Sequence, residues 1–92
     1  MTEEKIKKRP SRESDEDLSE KRILVLHNDD VHTFDFVIDS LMEICRHEYY
    51  QASQCASITH NNGKCDIKTG NFSELKQMKD ALTARELTVT IE

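Results

Sequence analysis

Arg22-Ile23-Leu24-Val25-Leu26-His27-Asn28-Asp29-Asp30 is the stretch on which the fold turns. Arg22 to Leu26 is a short, largely apolar run with a β-branched pair, bounded by turn-forming residues, and it suits a buried strand. His27-Asn28-Asp29-Asp30 is turn chemistry, because Asn and Asp side chains bond their own backbone and tolerate tight bends. The reading is a buried strand that runs straight into a sharp polar loop.

Downstream, Thr33 can cap a helix, with Asp35 well placed in its first turn. Phe34, Val37, Ile38, Leu41, Ile44 and Cys45 recur at helical spacing and predict a helix over 34–46. A second helix is predicted from Glu48 to Asn61, with Tyr49, Ala52, Cys55, Ala56 and Thr59 as its inner stripe. Asn62-Gly63 supplies a left-handed stop. Cys65 to Lys68 alternates like a short strand, and Thr69-Gly70-Asn71 turns the chain, with Asn71 able to cap a third helix. Phe72, Leu75, Met78, Ala81 and Leu82 form the apolar stripe of that helix. Leu87-Thr88-Val89-Thr90-Ile91 alternates as a half-buried final strand. The order β-α-α-β-α-β predicts one small α+β domain, a three-stranded sheet with helices packed on one face.

Upstream the composition changes. Within residues 1–20 only Met1, Ile6 and Leu18 are apolar, among five basic and seven acidic groups. That stretch cannot bury a core and is expected to be a disordered, charged tail ahead of a domain over 21–92. The whole chain has 92 residues and a net charge of −5. An acidic balance with only one basic run, Lys5-Ile6-Lys7-Lys8-Arg9, argues against nucleic-acid binding through phosphates. No apolar run is long enough to span a membrane, and the start lacks a secretory apolar stretch. Cys45, Cys55 and Cys65 are an odd set without paired spacing, which fits reduced thiols in the cytoplasm. A domain this small favours a binding module over an enzyme, with no cofactor and no metal.

The chemistry concentrates in His27-Asn28-Asp29-Asp30-Val31-His32: two carboxylates, one carboxamide and two imidazoles in one loop. His60 follows at the end of the second helix. Leu24-Val25-Leu26-His27-Asn28-Asp29-Asp30 with Thr33-Phe34-Asp35-Phe36-Val37-Ile38 resembles the signature of the ClpS adaptors. Ala52-Ser53-Gln54, His60-Asn61-Asn62-Gly63-Lys64 and the terminal Leu87-Thr88-Val89-Thr90-Ile91-Glu92 extend the resemblance over about residues 22–92.

The resemblance implies a fold shared with the C-terminal domain of a ribosomal stalk protein. It also implies a monomeric, non-enzymatic adaptor that binds N-degrons, the destabilising N-terminal residues Leu, Phe, Tyr and Trp. Such an adaptor delivers its substrates to a Clp-family AAA+ unfoldase of the ClpA or ClpC type. By position, Asn28, Asp30 and His60 would bind the substrate's α-amino group, with Asp29 as an accessory. His32, Phe34, Val37, Ala56, Thr59 and Leu87 would line the side-chain pocket. The charged tail would take part in delivery.

Elementary chemistry agrees with that assignment. A free α-amino group is an ammonium with three donors. The carboxamide oxygen of Asn28, the carboxylate of Asp30 and a neutral His60 are convergent acceptors for it.

The sequence departs from the family pattern at three pocket positions. His32 stands where Thr is common, and Ala56 and Phe34 stand where Met is usual. Ala56 with Phe34 predicts a reshaped pocket and an altered preference, tested with peptides beginning Ile and Val. The link from the third helix to the last strand is shorter than usual, which bears on the placement of Leu87.

Two other readings compete. His27, Asp29, Asp30, His32 and His60 are all competent metal ligands, although no HExxH-like register joins them. The same scaffold could also serve as an interaction domain that does not read N-termini.

Overall fold

A computed structural model describes residues 20–92. The expected tail over 1–20 lies outside the described residues except for Glu20, which is exposed and pairs with Arg22 at 3.2 Å. The elements are β1 (Arg22–His27), α1 (Phe34–Cys45), α2 (Tyr49–Asn62), β2 (Lys64–Gly70), α3 (Phe72–Ala84) and β3 (Thr88–Ile91). This is the predicted order.

β1 is the middle strand, hydrogen-bonded to β2 on one side and β3 on the other, both antiparallel. That position explains its near-continuous apolar run, since a central strand has no edge open to water. Leu24 and Leu26 face the core with Ile67 and Val89, and the three helices cover that face with Ile38, Leu41, Ala52, Leu75 and Leu82. Val25 takes the opposite face, opposite Asp66 and Thr90 in the ladders.

Caps place the helices as their sequences require. Thr33 Oγ1 accepts from the Phe36 N–H at 3.1 Å, and Asn71 Oδ1 accepts from the Glu74 N–H at 2.9 Å. Each cap satisfies one of the N–H groups that a helix start leaves without an intrahelical partner. α1 stops at Cys45 because Arg46 turns left-handed, with φ 62°. α2 stops at Gly63, with φ 95°, as the Asn62-Gly63 signal predicts. At the far end of α1, Arg85 donates to Ser40 Oγ at 3.2 Å and pairs with Glu43.

Three expectations need correction. β2 is longer than Cys65–Lys68, because Thr69 and Gly70 pair with Ile23 and Arg22 instead of turning the chain. Tyr49 is 64% exposed rather than inner, because it stands at the first helical position, ahead of the buried stripe that begins at Ala52. Phe34 is 50% exposed rather than core, for a reason that belongs to the site.

The register between β1 and β2 slips at one point. Leu24 faces Lys68 while Val25 faces Asp66, so Ile67 is an extra residue on β2. A bulge of this kind frees backbone groups from the ladder. His47, buried in the short link between α1 and α2, has its Nε2 2.7 Å from the Ile67 carbonyl oxygen. The carbonyl can only accept, so His47 Nε2 carries the hydrogen. Its Nδ1 is buried with no hydrogen-bond partner among the described residues.

Candidate functional site

The polar loop leaves β1 at its buried end and returns as α1, so its side chains stand over the mouth of the core. Asn28 is tied to the chain after α2: its N–H donates to the Gly63 carbonyl at 2.9 Å. This bond continues the β1–β2 ladder by one step and sets the Asn28 loop beside the end of α2, where His60 lies. Leu87, buried just ahead of β3, closes the third side.

Between these three segments lies a cavity of about 150 Å³. Every residue that the resemblance assigns to the side-chain pocket lines it: His32, Phe34, Val37, Ala56, Thr59 and Leu87. Asn28, Asp29 and His60 line it as well. Asp30 does not, but it is bonded to a residue that does, since Asn28 Nδ2 donates to Asp30 Oδ1 at 3.1 Å. That bond fixes the amide's orientation: the NH₂ must face the carboxylate, so Asn28 has its carbonyl oxygen to offer as an acceptor. Asp30 reaches this position with φ 62°, a left-handed conformation that Asp adopts more readily than most residues.

Leu26 and His27 also line the cavity and were not anticipated. They are the last residues of β1. A strand that feeds a site loop leaves its final core-facing residue as the floor, which could have marked Leu26. His27 is held across the sheet by Thr90, with Nε2 2.9 Å from Oγ1.

Asp29 is the keystone of the turn. Its Oδ1 accepts from the N–H groups of Val31 at 2.9 Å and His32 at 3.3 Å, and its Oδ2 lies 2.8 Å from His32 Nδ1. Partial burial pushes its carboxyl up, but the two backbone amides and the His32 ring together hold it below the ordinary 3.8. His32 is stacked on Phe36, with centroids 4.8 Å apart. Phe34 meets His60 edge-on at 5.3 Å. Its exposure is that of a ring at a pocket rim.

The charge at the mouth is one-sided. Asp29 lines the cavity, Asp30 is one hydrogen bond away through Asn28, and among the described residues no lysine or arginine lines it. An apolar hollow of Leu26, Val37, Ala56 and Leu87 beside acceptors and negative charge suits a ligand that is cationic at one end and apolar at the other.

Among the described residues no group of three or more His, Cys, Asp or Glu side chains is placed to hold a metal ion. His27 and His32 each have a ring nitrogen committed to a protein partner. The cysteines are free thiols. Burial pushes Cys45 up to about 11 against the opposing charge of Lys68, and it raises Cys55. Burial, with Cys55 and Asp66 nearby, pushes Cys65 up to about 12. None is poised as a thiolate nucleophile at neutral pH.

A family model described as "ATP-dependent Clp protease adaptor protein ClpS" matches residues 19–90. The chain belongs to the ClpS family. Among its relatives are the ATP-dependent Clp protease adapter proteins ClpS of Campylobacter jejuni subspecies jejuni and doylei. Each is 42% identical over 66 residues, covering 67% of this chain and 69% of theirs. The fold matches a solved structure of Agrobacterium tumefaciens ClpS2 bound to L-phenylalaninamide. The TM-score is 0.72 at 20% identity, covering 78% of this chain and 94% of that one. The ClpS family is one of Clp protease adaptors, and the three-helix, three-stranded ClpS domain is the scaffold of this site. Among the described residues no helix is long and apolar enough to cross a membrane.

Proposed function

We propose that this ClpS chain is a cytoplasmic, monomeric, non-enzymatic adaptor for N-degrons. It holds a substrate's free α-amino group with Asn28, Asp30 and His60. It buries the bulky first side chain among His32, Phe34, Val37, Ala56, Thr59 and Leu87. It then presents the substrate to a Clp AAA+ unfoldase of the ClpA or ClpC type. Residues 21–92 form the binding domain, and the charged segment before them takes part in delivery.

One observation carries this reading: Asn28, which is bonded to Asp30, and His60, from a separate segment, line the same apolar cavity. The charged groups read that a chain begins here, and the hollow reads which residue begins it. The phenylalaninamide bound by the Agrobacterium ClpS2 has the same chemistry, an α-amino group next to a benzyl side chain.

A hydrogen bond to a charged group contributes about 1.5–3 kcal/mol, and a buried Leu or Phe side chain adds roughly the same. Three such bonds with one such side chain are of the order of the roughly 8 kcal/mol of micromolar affinity before the cost of ordering the ligand is subtracted.

The deciding test is fluorescence anisotropy with one Phe-initiated peptide, free and N-acetylated. Acetylation turns the ammonium into a neutral amide with one donor. Saturable binding of the free peptide and none of the acetylated one is the expected result. Equal binding of both would mean that the domain does not read N-termini.

A further inference from the structure

His32 lines the cavity from the loop, beside Asn28 and Asp29, and its ring is held twice. Its Nδ1 lies 2.8 Å from Asp29 Oδ2, and its face lies on Phe36, with centroids 4.8 Å apart and planes 17° from parallel. Asp29 is itself fixed by the N–H groups of Val31 and His32. His32 therefore cannot swing aside without losing a carboxylate bond and a stacking partner together. At the rim, Phe34 and His60 form a second fixed ring pair at 69°. Of these four rings, those of His32, Phe34 and His60 belong to residues that line the cavity.

Two properties of that enclosure bear on its ligand. Its volume of about 150 Å³ matches cavities that hold a benzene ring. Its ring walls are pre-set in orientation, and aromatic pairs in offset or edge-on geometry gain free energy beyond the area they bury. An aliphatic side chain of similar size gains only the area contribution.

We propose that His32, clamped by Asp29 and Phe36, makes this pocket a selector for planar aromatic N-terminal side chains over aliphatic ones of similar size. The proposal rests on the N-degron reading above and narrows its substrate class. His32 is the specificity-determining residue, while Asp29 and Phe36 are positioning residues that act through it.

The test uses the full chain and anisotropy titrations of four peptides that differ only at the first residue: Phe, cyclohexylalanine, Leu and N-acetyl-Phe. Phe is expected to bind roughly twofold to tenfold tighter than cyclohexylalanine and Leu. His32→Phe keeps a ring on Phe36 and retains that ratio. His32→Leu fills the space without a ring and brings the ratio near one. Equal binding of Phe and cyclohexylalanine by the unaltered chain overturns the proposal without recourse to any variant. So does an unchanged ratio in His32→Leu. Binding of N-acetyl-Phe as tight as Phe, or no binding of any free peptide, overturns the N-degron reading and the selectivity with it.

Discussion

Two corners of the molecule each turn the chain into a helix, and each carries a histidine, but they are built to opposite ends. The corner between α1 and α2 is three residues long, and His47 within it is buried against the freed carbonyl of Ile67. The corner between β1 and α1 is six residues long, and Val31 at its tip is 78% exposed. Its His32 stands in a cavity wall, tied to a carboxylate that belongs to the loop itself. One corner closes a gap between a bulge and a helix end. The other holds acceptors around an open cavity. The contrast shows how a polar residue's partners separate the two roles: a buried histidine bonded to backbone stabilises the fold, whereas polar groups bonded to one another around a hollow remain free to meet a guest.

Substitutions at the two corners should therefore separate affinity from stability. Asp30→Ala is expected to have the largest effect, costing about 2–5 kcal/mol of peptide affinity by removing the carboxylate that the proposed function sets against the substrate's ammonium. Asp30 is exposed in the free protein, so stability should fall only by the roughly 1 kcal/mol that Ala costs in a left-handed conformation, read from the urea midpoint. A large stability loss would erase the contrast. His47→Ala should do the reverse. It leaves the Ile67 carbonyl without its partner and should cost about 1–3 kcal/mol of stability, with peptide affinity unchanged as long as the protein is folded.

Paired caps sharpen the comparison at smaller scale. Thr33→Ala and Asn71→Ala each remove one side-chain cap and should each cost about 1 kcal/mol in urea unfolding. Only Thr33 adjoins the site loop, so only its loss should also weaken peptide binding. Equal affinities in the two variants would show that the loop keeps its shape without the cap.

The smallest effect is expected from acid. Asp29 is held below its ordinary 3.8 in the folded chain, so its charged form is favoured by folding. That contribution is complete above the unfolded value and disappears as pH falls through the lower folded one. The stability gap between the parent and Asp29→Asn should be constant near neutrality and shrink below about pH 4. Urea midpoints measured across that range check it, and a gap that persists in strong acid would assign Asp29's role to its shape alone.

Much of this was legible in the residues. The apolar run before His27, the caps Thr33 and Asn71, and the stop at Gly63 are local signals, and local chemistry decided those boundaries. The site residues came from the loop's density of acceptors and from the family resemblance, and the cavity gathers all of them except Asp30, one bond away. What stayed hidden was non-local. The bulge at Ile67 depends on the register with β1, and His47 has no partner until that bulge exists. The rim position of Phe34 depends on His60 meeting it from another helix. Helical spacing alone cannot distinguish a core ring from one at a pocket mouth.

The single backbone bond from Asn28 to Gly63 reaches further than its size suggests. It joins the two halves of the proposed amine-reading surface before any guest arrives. Capture then need not wait for a loop to fold, and arrival should be set by diffusional encounter with an acidic doorway. Residence time, not speed of entry, is left as the quantity by which one chain beginning is told from another.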